Sequence, residues 1–176
     1  MVILIIAANL IVYFLIIYDK LDFKVLAQSY DTVYRKKQFY RIITAAFTHL
    51  QPMHILFNMF ALYNVGRFVE AYFGTGGFLL VLFGSIILGH PLALYIHHDN
   101  GQDSLYSVGA SGGICGLIGA ELVAIVTVYG FRAGIMNISM TLIYMVLLSI
   151  MPKVDGAAHI SCFAIGLAIA YILTLL

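Results

Sequence analysis

Charge is what this sequence has least of. Of 176 residues only 10% are Asp, Glu, Lys or Arg, against 62% that are hydrophobic, a balance far outside that of soluble domains. Cysteine is scarcer still. The two present, Cys115 and Cys162, both sit inside apolar runs, which argues against a disulfide framework and a thiolate metal cluster and for two small buried side chains. Nine Lys and Arg against eight Asp and Glu leave a net charge of +1. No basic stripe accompanies a reading helix, so nucleic acid is not an expected partner. A zinc site is disfavoured too: there is no H-E-x-x-H motif, and His49 and His54 are five apart, which puts them off a common helix face. His97 and His98 face opposite ways on what reads as a linker, with no carboxylate at ligand spacing beyond the adjacent Asp99. No metal or other cofactor is expected.

What remains is oil. Six segments, roughly 2–18, 52–69, 76–96, 109–129, 134–151 and 157–176, carry almost no charge. Each is close to the roughly 20 residues that a helix needs to cross a bilayer core of about 30 Å, and none alternates with the two-residue period of a barrel strand. The expectation is an all-α polytopic membrane protein, one domain over 1–176 with six spanning helices. The first segment has no basic flank and no small-x-small cleavage site before Asp19, so it reads as a retained span rather than a leader. Residues 19–51 form the one long linker, hold six of the nine cations, and read as a loop lying in the headgroup plane. The other linkers, "YFGTGG", "HHDNGQDSLYS", "GFRAG" and "PKVDG", carry the Gly, Pro, Asp and Asn that end helices. Seven cations fall in linkers 1 and 5 and two in linkers 2 and 4, so counting positive charges puts the first linker in the cytoplasm.

Polar residues inside such segments are costly and point to function. In a six-helix serpentine, helices 2, 4 and 6 start at the same membrane face. Near those starts lie His54 and Asn58, spaced i,i+4 on one side of helix 2; Ser111 in "GASGG"; and His159 in "GAAHIS". Gly109, Gly112, Gly116 and Gly119 give helix 4 a small face, and Ala158, Cys162 and Gly166 give helix 6 another. If those faces meet, Ser111 and His159 come within reach of a hydrogen bond. A neutral histidine can then activate the serine hydroxyl, while the helix start and the His54 and Asn58 side chains favour a developing oxyanion. Glu121 lies about 15 Å farther along helix 4, too far to be a third member, so any catalytic unit is a dyad. His90 beside Pro91 marks a bend in helix 3. The plainer alternative, a serine and a histidine that serve packing alone, applies to either residue singly better than to the four together.

"HLQPMHILFNMFALYNVG" (His49 to Gly66), "GASGG" (Gly109 to Gly113) and "AHISCFAIG" (Ala158 to Gly166), in this order and spacing, together with Tyr40–Arg41, resemble the rhomboid family of intramembrane serine proteases over residues 38 to 168. The resemblance implies Ser111 as nucleophile, His159 as base, and His54 and Asn58 in the oxyanion hole with Ser111. His49 and Arg41 would be structural supports, with Gly109, Gly112, Gly116 and Gly166 in the close-packed frame. It further implies transmembrane proteins as substrates, the lipid bilayer as surroundings, a bacterial-type plasma-membrane location, a cytoplasmic N-terminus and a site opening outward. That orientation is the reverse of the charge count; the family topology is preferred, since interfacial cations can sit at headgroups on either face. Oligomeric state stays open. Two positions depart from the pattern: Cys115 stands where many bacterial members have an aromatic ring, and Cys162 where they have glycine. A relative that binds helices without cutting them, and a small transporter, are the other readings. Both dyad residues are present, which disfavours the first; no inverted repeat accompanies Pro91, which disfavours the second.

Overall fold

The computed structural model describes residues 1–149 and 154–176. It is built on helices, and among the described residues the sole extended pairing is an isolated bridge between Gln28 and Ser107. The first helix, α1, is Val2–Ile17. Helix Pro52–Asp99 runs for 48 residues and has one non-helical position, Gly74, at φ 73° and ψ 172°. A straight helix of that length would be about 72 Å long, more than twice the bilayer core. Gly74 breaks it into α2 (52–73) and α3 (75–99), which fold back on each other: a Cβ placed on Gly66 would sit 3.2 Å from the Phe78 ring and 3.2 Å from Val2. Then follow α4 (Ser111–Tyr129), α5 (Phe131–Ser149) and α6 (Gly156–Leu173).

Several sequence boundaries shift. Of the three glycines in "GTGG", only Gly74 leaves the helical region, and Gly76 and Gly77 already belong to α3. His97 and His98, read as linker, instead form the last turn of α3. Backbone dihedrals stay helical through Pro91. Ser111 is the first residue of α4, which starts two residues later than the 109 read from the sequence. The end of the segment read as 134–151 lies outside the described residues.

Helix α4 is the centre of the bundle. Residues 112–120 are buried without interruption, as befits a helix apolar on all sides. Its glycines let the neighbours in. A Cβ on Gly166 of α6 would lie 2.1 Å from the carbonyl oxygen of Gly116, and one on Gly119 would lie 2.5 Å from the carbonyl oxygen of Phe163. On the other flank of α6, a Cβ on Gly89 of α3 would meet the Cys162 backbone at 2.8 Å. Three backbones are therefore in contact where side chains would ordinarily hold helices 8–10 Å apart. Around this frame large apolar side chains point outward, among them Leu4, Ile11, Phe60, Leu88, Phe131 and Ile160. Pro52–Asp99, Ser111–Tyr129 and Gly156–Leu173 are each long and apolar enough to cross a membrane, and Val2–Ile17 is a shorter apolar helix. The chain is an all-α integral membrane protein.

The long linker is more folded than its composition suggests. It contains single-turn helices at Phe23–Leu26 and Arg41–Thr44, a π turn at Asp31–Arg35 and a 3-10 turn at Ala45–Phe47. Ala27, Gln28, Ser29, Thr32 and Val33 are buried. The reading as a surface-lying loop missed this because the linker holds itself together through main-chain carbonyls, which leave no trace in hydropathy.

Candidate active site

Ser111 and His159 are brought together by the α4–α6 contact. The Ser111 hydroxyl lies 2.8 Å from His159 Nε2, and with that nitrogen unprotonated the hydroxyl donates to it. Both residues occupy first turns, His159 nearly buried at 4% exposure and Ser111 partly open. The turn before Ser111 shows why small residues are needed there. Gly109 has φ +117°, a region that L side chains avoid. A Cβ on it would also sit 2.7 Å from the His54 Cε1 and 2.9 Å from Nε2. Its N–H donates to the Ala45 carbonyl at 2.9 Å, so the long linker holds the entry to the serine.

His54 thus lies against the turn that leads into Ser111, with Asn58 one helical turn further along α2. The Asn58 amide nitrogen is 3.8 Å from the Cβ position of Gly109 and donates to His49 Nε2 at 3.1 Å. His49 Nε2 also accepts the Ala110 N–H at 3.3 Å. With both donors on one nitrogen, His49 ties the α2 side chain to the residue preceding Ser111. The ring is completely buried and packs edge-to-face on His54, centroids 5.0 Å apart. Burial, and next the neighbouring His54, push the His49 pKa down to about 4, so it is neutral at physiological pH and available as that acceptor. Arg41 lies in the linker, also buried. Its guanidinium donates to the carbonyls of Ala27 and Lys24 and to Gln38 Oε1.

Three residues with a bearing on the site were not placed there by sequence reasoning. His90 is buried against α4: a Cβ on Gly112, next to Ser111, would lie 2.5 Å from its Nε2, while its Nδ1 is 3.3 Å from the Ile42 carbonyl. Asp155 caps α6, accepting the Ala158 N–H at 2.9 Å, and His97 Nε2 lies 3.0 Å from the same oxygen. Burial would raise the Asp155 pKa, but hydrogen bonds from His97, Ser107 and Ala158 outweigh it and hold the carboxyl at about 2. An Asp just ahead of an apolar run is a cap signal that was available in "VDGAAHIS"; its pairing with His97, 58 residues away, was not. Cys115 and Cys162 are both buried and unbridged. Cys162 Sγ faces Gly89 and Gly112. Glu121 lies on α4 away from this cluster. Among the described residues no three His, Cys, Asp or Glu side chains are grouped to hold a metal.

A serine and a histidine thus lie in hydrogen-bond contact at one end of a helical membrane bundle, beside a second histidine and an amide. The model of the Rhomboid domain matches residues 36–175, and the chain belongs to the rhomboid family. It is 32% identical over 142 residues to RHOMBOID-like protein 5 of Arabidopsis thaliana, covering 77% of this chain and 44% of that relative. Rhomboid-like protease 3 of Toxoplasma gondii is 27% identical over 82% of this chain and 55% of its own length. Rhomboid protease GluP of Bacillus subtilis is 37% identical over 48% of this chain and 16% of its own. The chain thus spans less than two thirds of the length of each of these relatives.

Proposed function

We propose that this protein is an intramembrane serine endopeptidase that hydrolyses peptide bonds in or near the spanning segments of other membrane proteins. The observation that carries the reading is the 2.8 Å contact between Ser111 Oγ and His159 Nε2 at the start of the buried helix α4. In the proposed reaction Ser111 attacks the scissile carbonyl as His159 Nε2 takes its proton. The negative charge that develops on the carbonyl oxygen is met by the free N–H groups of the first turn of α4 and by His54 and Asn58. His159 then protonates the leaving amine, and a water molecule, deprotonated by the same imidazole, releases the acyl group from Ser111. No metal or cofactor enters.

The substrate follows from the chemistry of its backbone. Carbonyls in a spanning helix are hydrogen-bonded and shielded, so the scissile segment must unwind, which favours small residues such as Gly, Ala and Ser near the bond. The reading includes six crossings by one domain, a cytoplasmic N-terminus, and a site reached by water from the outer face. The Toxoplasma and Bacillus relatives are named as proteases, which supports activity in this chain.

The test is cleavage of a fluorogenic transmembrane peptide with a small-residue site by protein in detergent. Wild type should cleave it and be labelled by a fluorophosphonate at Ser111; Ser111→Ala and His159→Ala should do neither while remaining folded. A folded wild type that binds the peptide without cutting it or being labelled would make the protein a helix-binding relative instead.

A further inference from the structure

Within the proposed protease reading, on which this inference rests, the base and the nucleophile are each held by more than their own contact. Asp155 is where those supports converge. Its side chain caps α6 through the Ala158 N–H at 2.9 Å, and its main-chain carbonyl accepts the His159 N–H at 3.1 Å. From α3, His97 Nε2 reaches the same carboxylate at 3.0 Å, and its other ring nitrogen lies 3.3 Å from Gln102 Oε1. From the approach to α4, Ser107 lies near enough to favour the charged Asp155 carboxylate. Ser107 stands four residues before Ser111 and is itself paired with Gln28 of the long linker, N–H to carbonyl in both directions, at 2.9 and 3.3 Å. The His97 and Asp155 side chains are largely buried, at 10% and 18% exposure.

Capping alone does not call for this arrangement. One oxygen suffices to cap a helix, and serine does it about as well as aspartate. A carboxylate that takes donors from α3 and from α6, with Ser107 of the chain leading into α4 beside it, does something further: it joins the turn carrying His159 to the segments packed around Ser111. We propose that Asp155, with His97, is a positioning residue pair that sets the distance and register of the Ser111–His159 contact from both sides. Neither residue touches the reacting atoms. Their effect is on how often the imidazole and the hydroxyl are aligned, and a misplacement of about 1 Å can cost a hundred-fold in rate.

The experiment uses the full chain in detergent as wild type, Asp155→Ser, His97→Gln and the double variant. Asp155→Ser keeps the cap and removes the convergence. Each single variant should lower kcat by about ten- to a hundred-fold with KM and thermal midpoint close to wild type. The double variant should be no slower than Asp155→Ser, because the two residues act as a unit. Wild-type kcat in Asp155→Ser would reduce Asp155 to a cap and overturn the proposal. So would wild-type kcat in His97→Gln, or a loss of kcat that merely follows a large fall in the midpoint. A second readout needs no turnover: the ring 15N resonances of His159, assigned with His159→Gln. The hydrogen-bonded Nε2 signal should be altered in Asp155→Ser, and an unchanged spectrum would overturn the proposal. If wild type neither cleaves nor labels, the protease reading fails on its own, and the nitrogen spectra still decide the positioning.

Discussion

Alanine at Gly166 places a single methyl group where α6 and α4 touch through their backbones. That Cβ would lie 2.1 Å from the Gly116 carbonyl oxygen and 2.5 Å from its carbonyl carbon and Cα. These are main-chain atoms of a buried helix and have no rotamer through which to escape. Reaching even 3.0 Å requires the helices to part by 0.9 Å, the difference between 3.0 and 2.1 Å. Overpacking of this kind costs about 1–3 kcal/mol. Gly166 is seven residues from His159, about 10 Å along the helix axis, so separation there tilts or lifts the imidazole away from Ser111. The expected outcome is a lower thermal midpoint together with a fall in kcat toward the hundred-fold that a misplacement of about 1 Å can produce. Gly76→Ala is the matched control. It adds the same methyl group in α3 with nothing within 4 Å, and should be neutral or stabilising by up to about 1 kcal/mol, since alanine is the better helix former. The assay is thermal unfolding and peptide cleavage of both variants in one detergent. Wild-type midpoint and kcat in Gly166→Ala would refute the argument that α4–α6 backbone contact sets the geometry of the site.

Three further outcomes follow from other contacts. Gly109→Ala combines a disfavoured φ of +117° with a Cβ 2.7 Å from His54; kcat should fall at least ten-fold, and a fully active variant would show that His54 does not need its present seat. Asn58→Ala should lower kcat by about a hundred- to a thousand-fold with KM nearly unchanged, whereas a rise in KM alone would make Asn58 a binding residue. His49 titrates near 4 in the fold against 6.5 when unperturbed, so the unfolded chain takes up its proton first as pH falls. His49 therefore contributes stability that is full above pH 6.5 and is lost between 6.5 and 4, at most about 3 kcal/mol. Unfolding midpoints measured across that window should drop more steeply for wild type than for His49→Gln, and parallel curves would contradict the sign or the size of the effect.

Much of the fold was legible because a bilayer leaves a coarse imprint. The lengths of the apolar runs and the i,i+4 spacing of His54 and Asn58 follow from helical geometry alone, as does the small face of α4. Other features depend on partners distant in sequence. Nothing local distinguishes Gly74, which leaves the helix, from Gly76 and Gly77, which remain in it. The histidines at 97 and 98 precede Asp-Asn-Gly and so look like linker, yet Asp155 meets one and Asp103 the other, at 3.0 and 2.7 Å. His90 looked like a companion of Pro91 because its neighbour Gly112 is 22 positions away. Fold class can be read from periodicity; the supports around Ser111 and His159 come from chain segments that periodicity does not relate.

The bridge between Gln28 and Ser107 bears on where this molecule can be cut. The family match begins at residue 36, which would be a natural place to start a shortened chain for engineering. Such a chain would lose Gln28, the backbone partner of Ser107, and with it Ala27 and Lys24, whose carbonyls hold the Arg41 guanidinium. It would retain every residue of the proposed site and still leave Arg41 without two of its three acceptors and Ser107 without its backbone partner. A shortened chain that keeps these contacts therefore begins upstream of the family signature, no later than about Asp22, whose side chain caps Phe23–Leu26.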